Sequence, residues 1–290
     1  MQENNDNPIL DVLMITYNRP DYTRQSLERL LESVDHRVRV WVWHNGTDEA
    51  TLGVVRSLRS HPRFHHLEVS RENKRLREPT NWFWKNSDAP FIAKVDDDCL
   101  LPDAWFAPLI DAHHHNPKLG IIGCWTYYEH DFFPKVASRK IRQIEGGHQM
   151  MLNAWIGGTG YVMKRAMQQE TGYLGEMQSF TSFCINGASL GWKVGWYYPF
   201  IHQEHMDDPR SEYYGIQSEE EFQKQRPLSA INNNIHTLAE WKARIQYTAY
   251  VIQSASPNPW FYTGWRAKIR NASARLKKLL GIKESWRSVC

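Results

Sequence analysis

Over roughly the first 125 residues, short apolar runs alternate with amphipathic stretches, the pattern of βαβ units and a largely parallel sheet. Ile9 to Ile15 is almost unbroken apolar and predicts a buried strand. The run stops at Tyr17-Asn18-Arg19-Pro20, where proline ends the strand, and Asp21 is placed to cap a helix whose apolar positions include Leu27, Leu30 and Leu31. Val38 to Trp43 predicts a second strand, closed by the turn-prone His44-Asn45-Gly46-Thr47-Asp48. A weaker third strand lies near His66 to Val69, and a helix from around Pro79 leads into a fourth strand, Phe91 to Val95. That strand runs straight into Asp96-Asp97-Asp98. In an open parallel sheet, ligands bind outside the carboxyl ends of the strands, so Tyr17 to Arg19, Asn45 to Asp48 and Asp96 to Asp98 are expected to converge.

From about 126 to 215 the pattern changes to aromatics and glycine, among them Trp125, Tyr127, Trp155, Gly157, Gly158, Gly160 and Trp196, which suits a cleft approached by backbone. Most of those rings are expected in the core. From 216 onwards the chain reads as helical, with a break at Ser254 to Pro259. The expected organisation is an α/β domain over 1–215, with halves 9–125 and 126–215, and a helical extension over 216–290.

At 290 residues, 41% hydrophobic and 23% charged, the chain has the composition of a folded domain with a sizeable core. The polar start Met1 to Pro8 lacks a signal core, and no stretch approaches the roughly 18 apolar residues of a spanning helix, so a cytoplasmic location is expected. The four cysteines are scattered without metal-ligand spacing, which predicts free thiols. The net charge of +3 is uneven: Arg266, Lys268, Arg270, Arg275, Lys277, Lys278, Lys283 and Arg287 face a single acid, Glu284, at the end of the chain. A slightly acidic remainder argues against a nucleic-acid-binding body and for an anionic partner at the tail.

Three adjacent carboxylates at the end of a buried strand repel one another unless a cation or ordered donors compensate. Three readings follow: the run binds a divalent metal, it is a loop that carries three solvated aspartates by chance, or it caps the helix after Pro102-Asp103. The apolar lead-in Phe91-Ile92-Ala93-Lys94-Val95 favours the metal. His113-His114-His115 sit together near a helix end, point in different directions and are expected at the surface. Lys74, Arg75 and Arg77 precede the fourth strand and are placed either to meet phosphates or, the favoured reading, to form a solvated basic loop.

Several ordered pieces resemble the inverting, GT-A-type family 2 glycosyltransferases. Val12 to Arg19 is similar to that family's opening strand, Asn45-Gly46-Thr47-Asp48 to its second loop, and Val95-Asp96-Asp97-Asp98 to its DxD motif. Trp155-Ile156-Gly157-Gly158 with Lys164-Arg165 resembles the central glycine segment, and Gly191 to Val194 with Pro199 and His205 resembles the closing strand and metal histidine. The resemblance implies that Thr16, Tyr17, Asn18, Arg19 and Asn45 line the nucleoside, that Asp96 and Asp97 face the donor, and that Asp98 and His205, with Asp96, hold Mn²⁺ or Mg²⁺ against the diphosphate. It implies transfer of a sugar from a nucleoside-diphosphate sugar, UDP being favoured, to a hydroxyl of a glycan or lipid-linked glycan, with bacterial surface polysaccharide synthesis as the setting.

Two departures matter. The acid that the family carries before Asn45 is His44 here, and the family's Glu-Asp pair falls on Ser179 and Phe180, so its base is missing. An inverting transfer needs a group in reach of the acceptor hydroxyl. Glu176 is the expected substitute, with Asp207 and Asp208 in reserve. A catalytically inactive sugar-nucleotide or glycan-binding protein stays open for the same reason. A nucleotidyltransferase would want a glycine-rich loop after the first strand, which Tyr17-Asn18-Arg19-Pro20 is not. From Trp265, apolar residues Ile269, Ala272, Leu276, Leu279 and Leu280 fall on one helical face among basic residues, as in a helix lying on an anionic membrane. A helix docked on the body with a solvated basic face explains the pattern equally.

Overall fold

A computed structural model describes residues 7–267, together with Ile269 and Ala272. The strands are β1 (Leu10–Thr16), β2 (Val38–Asn45), β3 (Phe64–Ser70), β4 (Phe91–Lys94), β5 (Cys99–Leu100), β6 (Leu119–Gly123), β7 (Ile141–Gln143), β8 (Gln149–Asn153), β9 (Tyr161–Lys164), β10 (Lys193–Tyr198) and β11 (Glu204–His205). The helices are α1 (Pro20–Glu32), α2 (Glu49–Ser57), α3 (Arg77–Asn86), α4 (Phe106–His115), α5 (Pro134–Ala137), α6 (Arg165–Thr171), α7 (Phe180–Ser189), α8 (Glu219–Gln225), α9 (Leu228–Asn232) and α10 (Leu238–Ser254).

Nine strands form one sheet in the order β3-β2-β1-β4-β9-β6-β10-β8-β7. Its first four strands are parallel, as the alternation of runs and helices predicts. Beyond them β9 lies antiparallel between β4 and β6, and β7 and β8 close the far edge as an antiparallel hairpin. This is the mixed α/β, GT-A-like arrangement expected from sequence.

Both faces of the sheet are covered, which is why β1 reads as continuous apolar rather than alternating. Val12 and Met14 point to one layer with Leu27, Leu30 and Leu31 of α1 and Leu109 of α4. Leu13 and Ile15 point to the other with Phe83 and Trp84 of α3, Phe183 of α7, and Ala249 and Ile252 of α10. Thus α10, although late in the chain, packs on the sheet's helical layer. The aromatic middle is mostly core: Trp125 stacks on Phe200 at 4.5 Å and meets Trp196 edge-on.

Helix α1 starts one residue before the expected cap, with Pro20 at its first position and Asp21 in its first turn. The expected surface placement of three consecutive histidines holds for two. His113 is buried, its ring spanning the carbonyls of Leu119 and Val162 at 3.1 Å each, because each helical step turns the side chain about 100° and one of three must face the sheet. Cys99, Cys124 and Cys184 are free and buried.

Candidate active site

The carboxyl ends of β1, β2 and β4 meet at one rim, and the loops that follow are tied to one another. Asp48 caps α2 by accepting from Thr51 N at 2.9 Å, and the Thr51 hydroxyl in turn accepts from Arg19 N at 3.0 Å. Asn18 takes a left-handed backbone, φ 50°. Gly46, φ 88°, leaves room for the Tyr17 ring, which a Cβ at that position would meet at 3.3 Å.

The three aspartates fan out rather than share one point. Asp96 pairs with Lys94, whose ammonium lies buried beneath it, and takes the Thr159 hydroxyl as partner of its backbone N–H at 2.9 Å. Asp97 accepts from Tyr17 N at 3.3 Å and from the Thr23 hydroxyl at 3.2 Å. Asp98 faces Arg19 at 3.1 Å and His205 Nε2 at 4.0 Å. None of the three caps α4, which begins after Trp105. That removes the helix-cap alternative.

His205 arrives from far along the chain through a two-strand pairing. β11 lies antiparallel to β5, with His205 opposite Cys99, and Met206 N donates to Asp98 O at 2.8 Å. Successive strand residues point to opposite sides, so Glu204 turns away to Tyr128 and His202 while His205 turns to Asp98.

Burial dominates the electrostatics. It pushes the Asp97 carboxyl up to about 7, helped by the Asp98 charge, against which Arg19 works. Burial acts upward on Asp98 too, but His205 and then Arg19 overrule it and hold that carboxyl below its usual range. Burial alone would lower the His205 imidazole, and Asp98 and Asp207 raise it instead.

Asp98, Cys99 and His205 bring one potential ligand atom each within 4.8 Å of one another. Burial, followed by the charges of Asp98 and Asp96, raises the Cys99 thiol well above its ordinary value, and a soft sulfur is a poor match for Mn²⁺ or Mg²⁺. The remaining donors, carboxylate oxygens and an imidazole, fit a hard divalent cation such as Mn²⁺ or Mg²⁺.

Two cavities flank this point. One of about 750 Å³ is lined by Tyr17, Asn18, Arg19, Asp98 and Asp207 from the body and by Gln225, Arg226 and Ser229 from the C-terminal helices. The other, about 360 Å³, is lined by Gly157, Thr159, Trp196, His205 and Asp208 and roofed by Ser229, Trp241, Arg244 and Thr248. Ser229 borders both.

Residues 11–173 match the family described as Glycosyl transferase family 2, more than half of the 290-residue chain. The chain belongs to that family. It is similar to the mannosyltransferase PcManGT from Pyrobaculum calidifontis, solved in complex with GDP-Man and Mn²⁺: 15% identity, 97% of this chain and 83% of that one, TM-score 0.59. It is also similar to S. aureus TarS 1-349 in complex with UDP-GlcNAc: 18% identity, 74% of this chain and 63% of that one, TM-score 0.51. At such identities the likeness is one of fold.

Other expected site residues of this glycosyltransferase lie in less open places. The Thr16 hydroxyl meets His44 Nδ1 at 3.0 Å in the interior. Asn45 holds the next loop, accepting from Lys74 N at 3.0 Å and donating to Arg75 O at 3.1 Å. Asp207 takes both arms of the Arg19 fork, at 2.5 and 3.1 Å. Asp208 is locked to Arg210. Ser179 caps α7, whose first turn contains no acid, and Glu176 is exposed in the preceding loop. Lys94, Thr159, Thr23 and Trp241, whose indole donates to Asp207 O at 2.9 Å, were not foreseen as site residues. A lone lysine in the apolar β4 run and a threonine among glycines were the available signals.

Proposed function

We propose that the protein transfers a sugar from a nucleoside-diphosphate sugar to a hydroxyl of a glycan or lipid-linked glycan, with a divalent metal at Asp98 and His205. The observation that carries this is the β5–β11 pairing, which sets an imidazole 4.0 Å from the last aspartate of a strand-end triplet at the junction of two cavities. Family membership supports glycosyl transfer, and the GDP-Man, Mn²⁺ and UDP-GlcNAc of the similar structures support a nucleotide donor and Mn²⁺. When bound, the metal would offset charge gathering on the departing nucleoside diphosphate. Tyr17, Asn18 and Arg19 would hold the nucleoside and phosphates in the larger cavity, with Asp96 and Asp97 on its donor side. Asp98 and His205 would orient the diphosphate. The sugar would point toward Gly157 and Thr159, and the smaller cavity would admit the acceptor. UDP is the nucleotide we favour, inversion the stereochemistry, and assembly of a bacterial surface polysaccharide the setting.

Glu176 remains our candidate base, its loop leading directly into α7. The acid-free first turn of α7 favours a second reading, a donor-binding protein without turnover. One assay separates them: release of nucleoside diphosphate from a panel of nucleotide sugars with Mn²⁺, by wild type, Asp98→Ala and Glu176→Gln. Cleavage of one donor, abolished in Asp98→Ala and reduced about 10²-fold or more in Glu176→Gln, supports the transferase and its base. Metal-dependent donor binding without cleavage supports the second reading. Absence of both overturns the site.

We further propose that the C-terminal region rests on an anionic membrane surface. No helix among the described residues is long and apolar enough to cross a membrane. Trp260, Phe261, Trp265 and Ile269 are nevertheless exposed by 46–67%, in the stretch of sequence where the basic tail begins. The rest of the amphipathic pattern, including Leu276, Leu279 and Leu280, lies outside the described residues. Interfacial tryptophan and basic side chains together favour anionic leaflets. Binding to anionic but not neutral liposomes, lost in Trp260→Ser/Trp265→Ser, is expected; equal sedimentation of both proteins refutes the idea.

A further inference from the structure

Away from the rim, α4 and the β7–β8 hairpin assemble a second group of metal-ligating side chains. Asp111 and His115 stand four residues apart on one face of α4, the spacing that makes helical neighbours. His148, at the end of the hairpin loop, completes the set. Its Nε2 lies 2.9 Å from Asp111 Oδ2, while His115 Nδ1 lies 3.6 Å from Asp111 Oδ1. One ligand atom from each of the three falls within 4.8 Å of the others.

The surroundings hold this group together. Asn116, just past α4, clasps the hairpin through Glu145, donating to its carbonyl and accepting from its N–H, both at 3.0 Å. Gly146, φ 79°, makes the space for the His115 ring, since a Cβ there would come within 2.5 Å of His115 Cγ. The Tyr197 hydroxyl engages His148 Nδ1 at 3.1 Å, which fixes the ring and leaves Nε2 turned toward Asp111. Such outer partners are what orients a ligating histidine.

We propose that Asp111, His115 and His148 form a binding site for a borderline divalent transition metal, zinc or its analogue cobalt, distinct from the site at Asp98. Two imidazoles and one carboxylate suit that class, whereas Mg²⁺ prefers oxygen shells. Ligands about 2.1 Å from a tetrahedral zinc stand about 3.4 Å apart. The His148 side chain is only 10% exposed and already anchored; Asp111 and His115 are 56% and 49% exposed, and His115 Nδ1, which now meets the Asp111 carbonyl at 3.0 Å, would exchange that contact for the metal as the remaining gap closes. A water would take the fourth position. The metal would staple α4 to the hairpin whose second strand, β8, runs directly into the glycine segment at Gly157 and the smaller cavity.

The test is titration of chelator-stripped full-length protein with Co²⁺, read by the intense d–d band of a tetrahedral site, which an oxygen-rich, higher-coordinate site at the rim does not give. Wild type is expected to bind one Co²⁺ with a visible d–d band. His115→Ala, a half-exposed change, is expected to lose the band, and His114→Ala, its exposed neighbour, to keep it. Zn²⁺ at roughly 100-fold over its Kd is expected to raise Tm by about 5 °C or more in wild type and not in His115→Ala. His148→Gln serves as the second variant if His115→Ala melts abnormally without metal. No Co²⁺ band in wild type, or a band and shift that survive both His115→Ala and His148→Gln, overturns the site.

Discussion

Arg210 links two buried carboxylates, and its removal tests whether Asp208 is a structural or a chemical acid. Its guanidinium donates to Asp208 at 2.8 and 2.5 Å and to Asp131 at 2.8 Å, and its backbone N–H reaches Asp208 at 2.9 Å. The three side chains are 7%, 3% and 1% exposed. Asp131 also anchors α10, because Gln253 donates to its carbonyl at 2.7 Å. Arg210→Met keeps the stem but leaves two carboxylates in the interior without their cation. Breaking such a pair costs about 3–5 kcal/mol, a large part of the 5–15 kcal/mol of a typical domain. Thermal melting is expected to fall by on the order of 10 °C. Asp208→Asn leaves Arg210 with Asp131, so it is expected to cost only about 1–3 kcal/mol and to spare turnover below its own melting transition. Urea unfolding gives the stability and donor-consumption kinetics the rate. A kcat loss of about 10²–10⁴-fold in Asp208→Asn at unchanged stability would make Asp208 the general base and refute this reasoning.

Two further outcomes follow from the interior. Burial lowers His113 to about 4, against an unfolded value near 6.5, so the unfolded chain binds the extra proton first as pH falls. This contribution is intact above about 6.5 and is lost toward 4, amounting to about 2 kcal/mol at pH 5; His113→Gln is expected to flatten the stability profile over that window, and parallel profiles for both proteins would refute it. Gly160 has φ 61°, and a Cβ there would overlap the buried Gln203 amide oxygen; Gly160→Ala is expected to lower stability by about 2–4 kcal/mol in urea unfolding, and a loss under about 1 kcal/mol would contradict it.

The first half of the fold was legible because β1, β2 and β4 are buried on both faces and so appear as apolar runs, and because turn residues mark their ends. The far half was not. β9 and the β7–β8 hairpin are strands of three to five residues in an aromatic stretch whose burial reports contact with helices rather than a strand period. His113 shows the same limit at one residue: a run of three like side chains carries no sign of which faces the sheet.

The site divides along the same line. Asp96 to Asp98 stand out because a polar run ends an apolar one, yet the adjacent Asp207 and Asp208 look equivalent in sequence and are sent to different cations, Arg19 and Arg210. Periodicity cannot see that split, since it is decided by arginines 188 residues before one acid and two after the other. Nor can it see β5 and β11, two residues each, which are too short for any period to register. That pairing nevertheless sets the histidine beside Asp98. Resemblance to a family supplied His205 where pattern could not, and the same resemblance failed at Ser179 and Phe180, where this chain departs from the pattern. The base is therefore a question of which carboxylate is free, and the structure answers part of it: Asp207 and Asp208 are engaged by cations, while Glu176 is exposed to solvent.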